Sequence, residues 1–331
     1  MREEFQKGYC SHPDASELTC SECIIRAHTI QRRGGLAEIA ENGHVTSVKA
    51  GIENIFDNNG RIEPKLVGVR SASTFNGFCE NHDTSMFRPV ETGVTALSAE
   101  TVYLLTFRAL AYELYTKRAA LRADPIQREV DYGKPFEVQA ILQTHLHFFK
   151  QGMKRGLADL ELWKERYDLA YRQHDLSDFS FYAVEFDDML PVAACGAFHP
   201  EVDFEGNQLQ IISRGETEFD HIAFNLTSLN GVTVAAFGWM GGSGPTAAFV
   251  ESYRRIPDTE KAAAIIQLAF EHLENTYMRP SWWSSIPDDW RAFAIAKFKS
   301  GVGDPKMDRK TNALAVRPFS YATVGIRSTF G

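Results

Sequence analysis

Two short pairs of metal-binding side chains constrain this chain more than any other feature of its sequence. The first pair is Cys20-x2-Cys23 and the second is Cys79-x2-His82. Structural zinc sites are closed by four Cys or His ligands in a tetrahedron, and such ligands often come in closely spaced pairs. We therefore predict a structural Zn²⁺ site made of these four residues. Cys10 is an alternative ligand that could replace Cys20 or Cys23, and the well-attested spacing of the Cys-x2-Cys pair favours the first set.

The second pair stands at the predicted start of a helix. Asn81 and Asp83 are suitable capping residues, and the following apolar residues recur on one helical face: they are Met86, Phe87 and Val90. A Cys-x2-Cys knuckle, an intervening hairpin and a Cys-x2-His pair at a helix start describe a treble-clef zinc finger. We assign this finger to residues 1–92.

The remainder of the chain predicts an α+β domain over residues 98–331, after a linker that ends near Ser98. Residues 98–175 have the apolar periodicity of helices, and the long stretch from Ala99 to Arg122 is apolar around most of its surface. Residues 178–331 combine β-type segments with C-terminal helices. Turn sequences such as Asn230-Gly231 favour a largely antiparallel sheet.

Charge and composition limit the partners of the chain. A net charge of −8 over 331 residues means that any contact with nucleic acid must use local basic groups. These groups are Arg26/Arg32/Arg33, Lys117/Arg118/Arg122 and the tail from Lys306 to Arg327. The chain has no apolar run long enough to span a bilayer, which predicts no membrane partner. Its first residues lack the apolar core of a signal peptide, so a cytoplasmic location is expected.

A third motif lies between the two metal-binding pairs. Ala27-His28-Thr29-Ile30-Gln31 follows the first pair and is followed by Arg32-Arg33-Gly34-Gly35. With the cysteine pairs, this run resembles the HNH (His-Me finger) nucleases over roughly residues 10 to 92. The resemblance implies that His28 is the general base and that Asp83 binds a catalytic divalent ion such as Mg²⁺ or Mn²⁺. One position departs from the family pattern, because Ala27 stands where an acidic residue or histidine usually precedes the base.

The function implied by this resemblance is metal-dependent cleavage of phosphodiester bonds in DNA or RNA, with a role in defence against foreign nucleic acid. The alternative is a zinc-stabilised module without catalysis that binds nucleic acid or a protein and carries a C-terminal sensing domain. Ala27 favours the alternative, whereas the position of His28 relative to Cys23 favours the enzyme. A third interpretation places a nucleotide at Gly241–Gly244, between a predicted strand and helix, where free backbone N–H groups could bind phosphate.

Overall fold

An antiparallel sheet of eight strands lies at the centre of the computed structural model, which describes residues 3–48, 63–91, 96–211, 218–300 and 324–331. In chain order the strands are β1 (Ile24–His28), β2 (His44–Ser47), β3 (Lys65–Gly68), β4 (Thr74–Cys79), β5 (Phe179–Phe186), β6 (Val192–Phe198), β7 (Ile222–Leu229), β8 (Val232–Met240), β9 (Asn275–Met278) and β10 (Ile326–Phe330). The large sheet has the order β10-β5-β8-β7-β6-β9-β2-β3, and β1 pairs with β4 in a separate ribbon.

Eight α-helices accompany these strands among the described residues. They are α1 (Ala37–Ile39, which continues a π-helical turn at Arg32–Leu36), α2 (Glu80–Glu91), α3 (Ala99–Arg128), α4 (Phe136–Gln173), α5 (Pro245–Arg254), α6 (Asp258–His272), α7 (Pro280–Ser285) and α8 (Asp288–Ser300). The predicted α+β class, with a helical middle and an antiparallel sheet, is confirmed.

The central hairpin of the sheet joins β7 to β8 through Asn230 and Gly231. Both residues have positive φ, 52° and 77°, as a tight two-residue turn of the I′ type requires. Because both faces of the sheet are covered, every residue of β7 and β8 is buried. Strand β8 therefore reads as a nearly continuous apolar run, whereas β7 buries Asn225, Thr227 and Ser228 among its apolar residues.

Helices cover both faces of the sheet, so the molecule has three layers. On one face, Phe237 of β8 packs against Tyr253 of α5, with ring centroids 5.3 Å apart. On the other, Phe179 of β5 contacts Tyr103 of α3 at 5.4 Å. Side chains alternate between the two faces along each strand, which divides the apolar residues of the sheet between two cores.

Helix α3 is longer than its sequence predicts. We expected it to end before Pro125, but it continues to Arg128. Proline inside a helix removes one backbone hydrogen bond, and tertiary contacts offset this loss. Asp124 accepts hydrogen bonds from Arg128 and from Lys150 of α4, and Gln143 of α4 donates to the carbonyl of Arg128.

The N-terminal segment and the rest of the chain share one sheet and one core. Strand β2 pairs with β9, which brings Thr46 opposite Met278. The ring of Phe87 on α2 lies 5.2 Å from Phe78 of β4 and 6.5 Å from Phe107 of α3. The predicted ranges 1–92 and 98–331 are therefore joined by backbone pairing and by apolar packing.

Because the N-terminal segment shares a sheet and a core with the rest of the chain, we can predict how a fragment that begins at residue 98 behaves. We expect it not to fold into a stable unit, because β9 would lose β2, one of its two partner strands, and the aromatic face of α3 that packs on α2 would be exposed. Thermal unfolding of the fragment and of the full chain, followed by circular dichroism, is the measurement. A cooperative transition of the fragment close to that of the full chain would show that residues 98–331 have a self-sufficient core.

Candidate metal centre and neighbouring residues

Four side chains converge at the junction of β4 and α2. The ligand atoms of Cys10, Cys20, Cys79 and His82 all lie within 4.8 Å of one another. The three sulfur atoms lie 3.4, 3.6 and 3.2 Å from His82 Nδ1, in the order of their numbers. Zn–S and Zn–N bond lengths predict about 3.5 Å for the sulfur–nitrogen edge of a tetrahedron. The cluster therefore has the spacing of a four-coordinate metal site.

The membership of this cluster differs from the set that the sequence favoured. Cys23 is exposed and lies outside the cluster, and Cys10, the alternative ligand, takes its place. The reason is the path of the N-terminal segment, which runs beside β4. The backbone N–H of Tyr9 donates to Asn76 and that of Ser11 donates to Gly77. This pairing carries Cys10 to the cluster.

The thiols of the cluster differ in acidity. Burial alone would raise the pKa of Cys79, but hydrogen bonds from the backbone of His82 and from Ser21 outweigh it and lower the pKa to about 6. Burial raises the pKa of Cys10 to about 12. A bound cation would stabilise the thiolate form of both residues, since the thiolate is the form that binds metal.

His12 supports the cluster from outside, a role that the sequence did not reveal. Its ring stacks on the ring of His82 with centroids 3.9 Å apart. His12 Nδ1 accepts a hydrogen bond from the N–H of Asp14, so in the neutral ring Nε2 carries the proton and donates to Tyr171 Oη, 3.1 Å away. Because the two rings stack, His12 restricts how the ring of His82 can rotate. The hydrogen bond to Tyr171 also ties the cluster to α4.

His28 lies half-buried at the end of β1. Its Nε2 is 3.1 Å from the carbonyl oxygen of Val69. A carbonyl only accepts hydrogen bonds, so the neutral ring carries its proton on Nε2 and leaves the lone pair of Nδ1 available. Burial lowers the pKa of His28, and the nearby guanidinium of Arg32 lowers it further. This histidine is therefore uncharged at neutral pH and able to accept a proton.

The side chain of Ala27 points into the apolar core, on the face of β1 opposite to His28. It is 1% exposed and belongs to the core that contains Phe75 and Phe78. Successive residues of a strand point to opposite faces, so the core takes Ala27 while His28 turns outward. An acidic side chain at position 27 would be placed in an apolar core, so this strand supplies no carboxylate beside His28.

Asp83 is part of a buried ion-pair group centred on Arg108. Arg108 is 1% exposed, and its guanidinium lies 3.2 Å from Asp83 and 2.8 Å from Glu91. Its central carbon is also 3.8 Å from the ring centroid of Phe87, in cation–π contact. Burial raises the pKa of Asp83, although Arg108 acts in the opposite direction. The carboxylate predicted to bind a divalent ion is therefore already neutralised by an arginine.

The N-terminus of α5, which follows Gly241–Gly244, already has a carboxylate bound to it. The carboxylate of Asp220 accepts a hydrogen bond from the N–H of Thr246 and lies against Gly244, whose φ is 103°. A carboxylate at the first turn of α5 satisfies the helix dipole and repels phosphate. The glycines thus serve the sharp strand-to-helix turn, and the interpretation as a nucleotide site is not supported by this geometry.

The predicted basic groups differ in their surroundings. Arg118 and Arg122 are engaged by Glu161 and Glu4. Arg32 and Arg33 are exposed at the start of the π-helical turn, directly after the strand that carries His28. Most of the tail from Lys306 to Arg327 lies outside the described residues. The exposed arginines next to His28 are therefore the basic group best placed to meet a phosphate.

Among the residues that the structure describes, no helix combines the length and apolarity needed to cross a membrane. Comparison of the chain with protein-family models, with curated proteins and with solved structures returned no match. The chemistry of the site itself therefore carries the functional argument.

Proposed function

We propose that residues 10–91 form a zinc-stabilised unit of the HNH type and that the chain hydrolyses phosphodiester bonds in DNA or RNA. The order of elements supports this, because β1 pairs with β4 and α2 begins at the next residue. A treble-clef finger likewise places a pair of antiparallel strands directly before its helix, although here β2 and β3 lie between the two paired strands in the sequence and join the main sheet. The observation that carries the proposal is the contact between His28 Nε2 and the carbonyl of Val69.

The structural ion in this proposal is zinc, held by Cys10, Cys20, Cys79 and His82. Three thiolates and one imidazole in a closed tetrahedron are a zinc donor set. A bound ion would stabilise the junction of the N-terminal segment, β4 and α2. With four protein ligands it would have no open position, so no step of the reaction is assigned to it.

His28 acts as the general base in the proposed reaction. Its carbonyl partner holds the proton on Nε2, so Nδ1 takes a proton from the water as the water oxygen bonds to phosphorus. The P–O bond to the leaving oxygen breaks, and that oxygen takes a proton from solvent. The exposed guanidinium of Arg32, close enough to lower the pKa of His28, neutralises charge on the phosphate. A role in defence against foreign nucleic acid belongs to the same proposal and rests on the resemblance alone.

The proposed catalytic divalent ion does not fit the residues as they are arranged. Asp83 is paired with Arg108, and Ala27 offers no donor. An ion at Asp83 would have to displace a buried guanidinium, so we assign no step of the reaction to it. Dependence of activity on Mg²⁺, Mn²⁺ or Ni²⁺ stays a prediction to be measured.

His28→Ala tests the enzyme directly. We expect cleavage of DNA or RNA to fall by about 10² to 10⁴, the usual loss on removing a general base. The zinc content should not change, because His28 lies outside the cluster. His44→Ala is the matched control, since this exposed histidine lies on β2 and its Nδ1 bonds the carbonyl of Asn42. Cleavage of fluorescent oligonucleotides, with and without each divalent ion, is the measurement.

The enzyme proposal fails if wild type cleaves neither DNA nor RNA under any of these conditions. It also fails if His28→Ala and His28→Gln retain full activity while folded. In either case the second candidate applies: a zinc-stabilised module without catalysis that binds nucleic acid or a protein. The observation that favours this candidate is the pairing of Asp83 with Arg108.

A further inference from the structure

Two histidines and an aspartate meet at one end of the large sheet, where α4 packs against it. His199 directly follows β6, and His221 directly precedes β7. Phe198 pairs with Ile222 across these antiparallel strands, so the next residues, His199 and His221, lie opposite each other. Their ring centroids are 3.7 Å apart, and Asp159 reaches His199 from α4.

His199 presents a lone pair to the carboxylate of Asp159. Its Nδ1 lies 3.4 Å from the carbonyl oxygen of Asp220, which only accepts hydrogen bonds, so the neutral ring carries its proton on Nδ1. The lone pair is therefore on Nε2, which faces Asp159 Oδ2 at 3.9 Å. Two acceptors do not bond to each other, but two metal–ligand bonds of about 2.1 Å span this distance. A histidine that donates its other ring N–H to a carbonyl is also the usual arrangement around a metal ion.

His221 is a buried side chain without a hydrogen-bond partner. It is 4% exposed, and neither of its ring nitrogens bonds to any residue that the structure describes. Buried polar atoms nearly always have a partner, so this ring points to a missing one. The ring can turn toward the gap between His199 and Asp159 without breaking a hydrogen bond. The ring of Trp163, 5.9 Å away on α4, closes the inner side of the group.

The charges around the three side chains suit a cation that enters from solvent. Burial lowers the pKa of His199 to about 4 and that of His221 well below its ordinary value, so both rings are neutral, the form that binds metal. Burial raises the pKa of Asp159, whereas the charge of Lys117 lowers it. The side chains of His199 and Asp159 are each 15% exposed, which gives an ion access to both donors.

We propose that His199, His221 and Asp159 bind a divalent transition-metal ion, at a second site separate from the cysteine cluster. Imidazole ligands suit Zn²⁺ and Ni²⁺, whereas Mg²⁺ and Ca²⁺ prefer oxygen ligands alone. Three protein ligands leave a coordination position for water, in contrast to the closed set of the cysteine cluster. This inference does not depend on the proposed hydrolysis.

The test titrates the full chain, carrying one zinc ion, with Ni²⁺. Nickel is the probe because zinc already fills the closed cysteine cluster. Calorimetry and elemental analysis should give one nickel per chain with the zinc retained. Asp159→Asn and His221→Phe should each weaken nickel binding by more than about 100-fold, since even residues that only support a metal ligand contribute about 10- to 100-fold. Asp159→Asn replaces a partly exposed side chain by one of the same shape, so the fold should persist, as circular dichroism can verify.

His272→Phe is the matched control, the same substitution in another histidine. The ring of His272 stacks on Phe198 at 4.4 Å, in the core on the opposite face of the sheet, and this variant should bind nickel like wild type. Wild type that binds no nickel, or binds it only by losing zinc, overturns the proposal. Undiminished binding in both Asp159→Asn and His221→Phe also overturns it, because the nickel would then be held by other histidines. A second zinc in wild type that both variants lack would support the site in the same way.

Discussion

Cys79→Ser is expected to release the metal ion and to unfold the junction of β4 and α2. Cys79 is fully buried and the closest of the three sulfur atoms to His82. The free energy of zinc binding in small finger peptides, about 10 to 16 kcal/mol at neutral pH, becomes folding free energy where the site holds segments together. This centre joins the N-terminal segment that carries Cys10 and Cys20 to the junction of β4 and α2, which is distant from it in the sequence. A large decrease in the thermal midpoint should therefore accompany the loss of the ion.

Two further serine variants make this test specific. Cys10→Ser should also lose metal, because Cys10 belongs to the cluster. Cys23→Ser should keep both its metal and its stability, because Cys23 is exposed and outside the cluster. Elemental analysis gives zinc per chain, and calorimetry gives the midpoint. Loss of zinc in Cys23→Ser with retention in Cys10→Ser would restore the ligand set that the Cys-x2-Cys spacing favours.

Chelation is an independent form of the same experiment. Removal of the ion from wild type should lower the midpoint toward that of Cys79→Ser, and added zinc should reverse the change. The variant itself should respond little to either treatment. Wild type that contains no metal after purification and gains no stability from added zinc would contradict the assignment of a structural centre.

Arg108→Met is expected to destabilise the protein by about 3 to 5 kcal/mol, the usual cost of removing one partner of a buried ion pair. Methionine preserves much of the length and apolar volume of the side chain. It leaves the buried carboxylate of Asp83 without its cation, and it removes the guanidinium from the ring of Phe87. Urea unfolding gives the difference in free energy. Helix α2, which carries both carboxylates, should be the part most affected.

A double-mutant cycle separates the ion pair from the packing of Arg108. Asp83→Asn in the Arg108→Met background should recover part of the loss, because it removes the unpaired charge. Arg118→Met is the surface control. The pair of Arg118 and Glu161 is 34% and 44% exposed, so its removal should cost no more than about 1 kcal/mol. Equal effects of the two arginine variants would mean that the buried group contributes little to stability.

Local patterns in the sequence determined much of the architecture. The α+β class, the helical middle and the Asn230-Gly231 hairpin follow from periodicity and turn chemistry, which act between neighbouring residues. The sequence also predicted that cysteine and histidine side chains meet in a cluster that could hold a metal ion. Cys79 and His82 were placed correctly at a helix start, because a Cys-x2-His spacing at the end of a strand is a local property.

Only the tertiary structure decided how distant segments meet. The choice of Cys10 over Cys23 depends on the N-terminal segment running beside β4, a pairing across more than 60 residues that no local spacing encodes. The pairing of β2 with β9 joins the predicted finger to the main sheet in the same way. Arg108 reads in the sequence as one position of an apolar helix, yet the fold buries it between Asp83 and Glu91. A buried charge is stable only beside its partners, and those partners are brought together by the packing of α2 on α3.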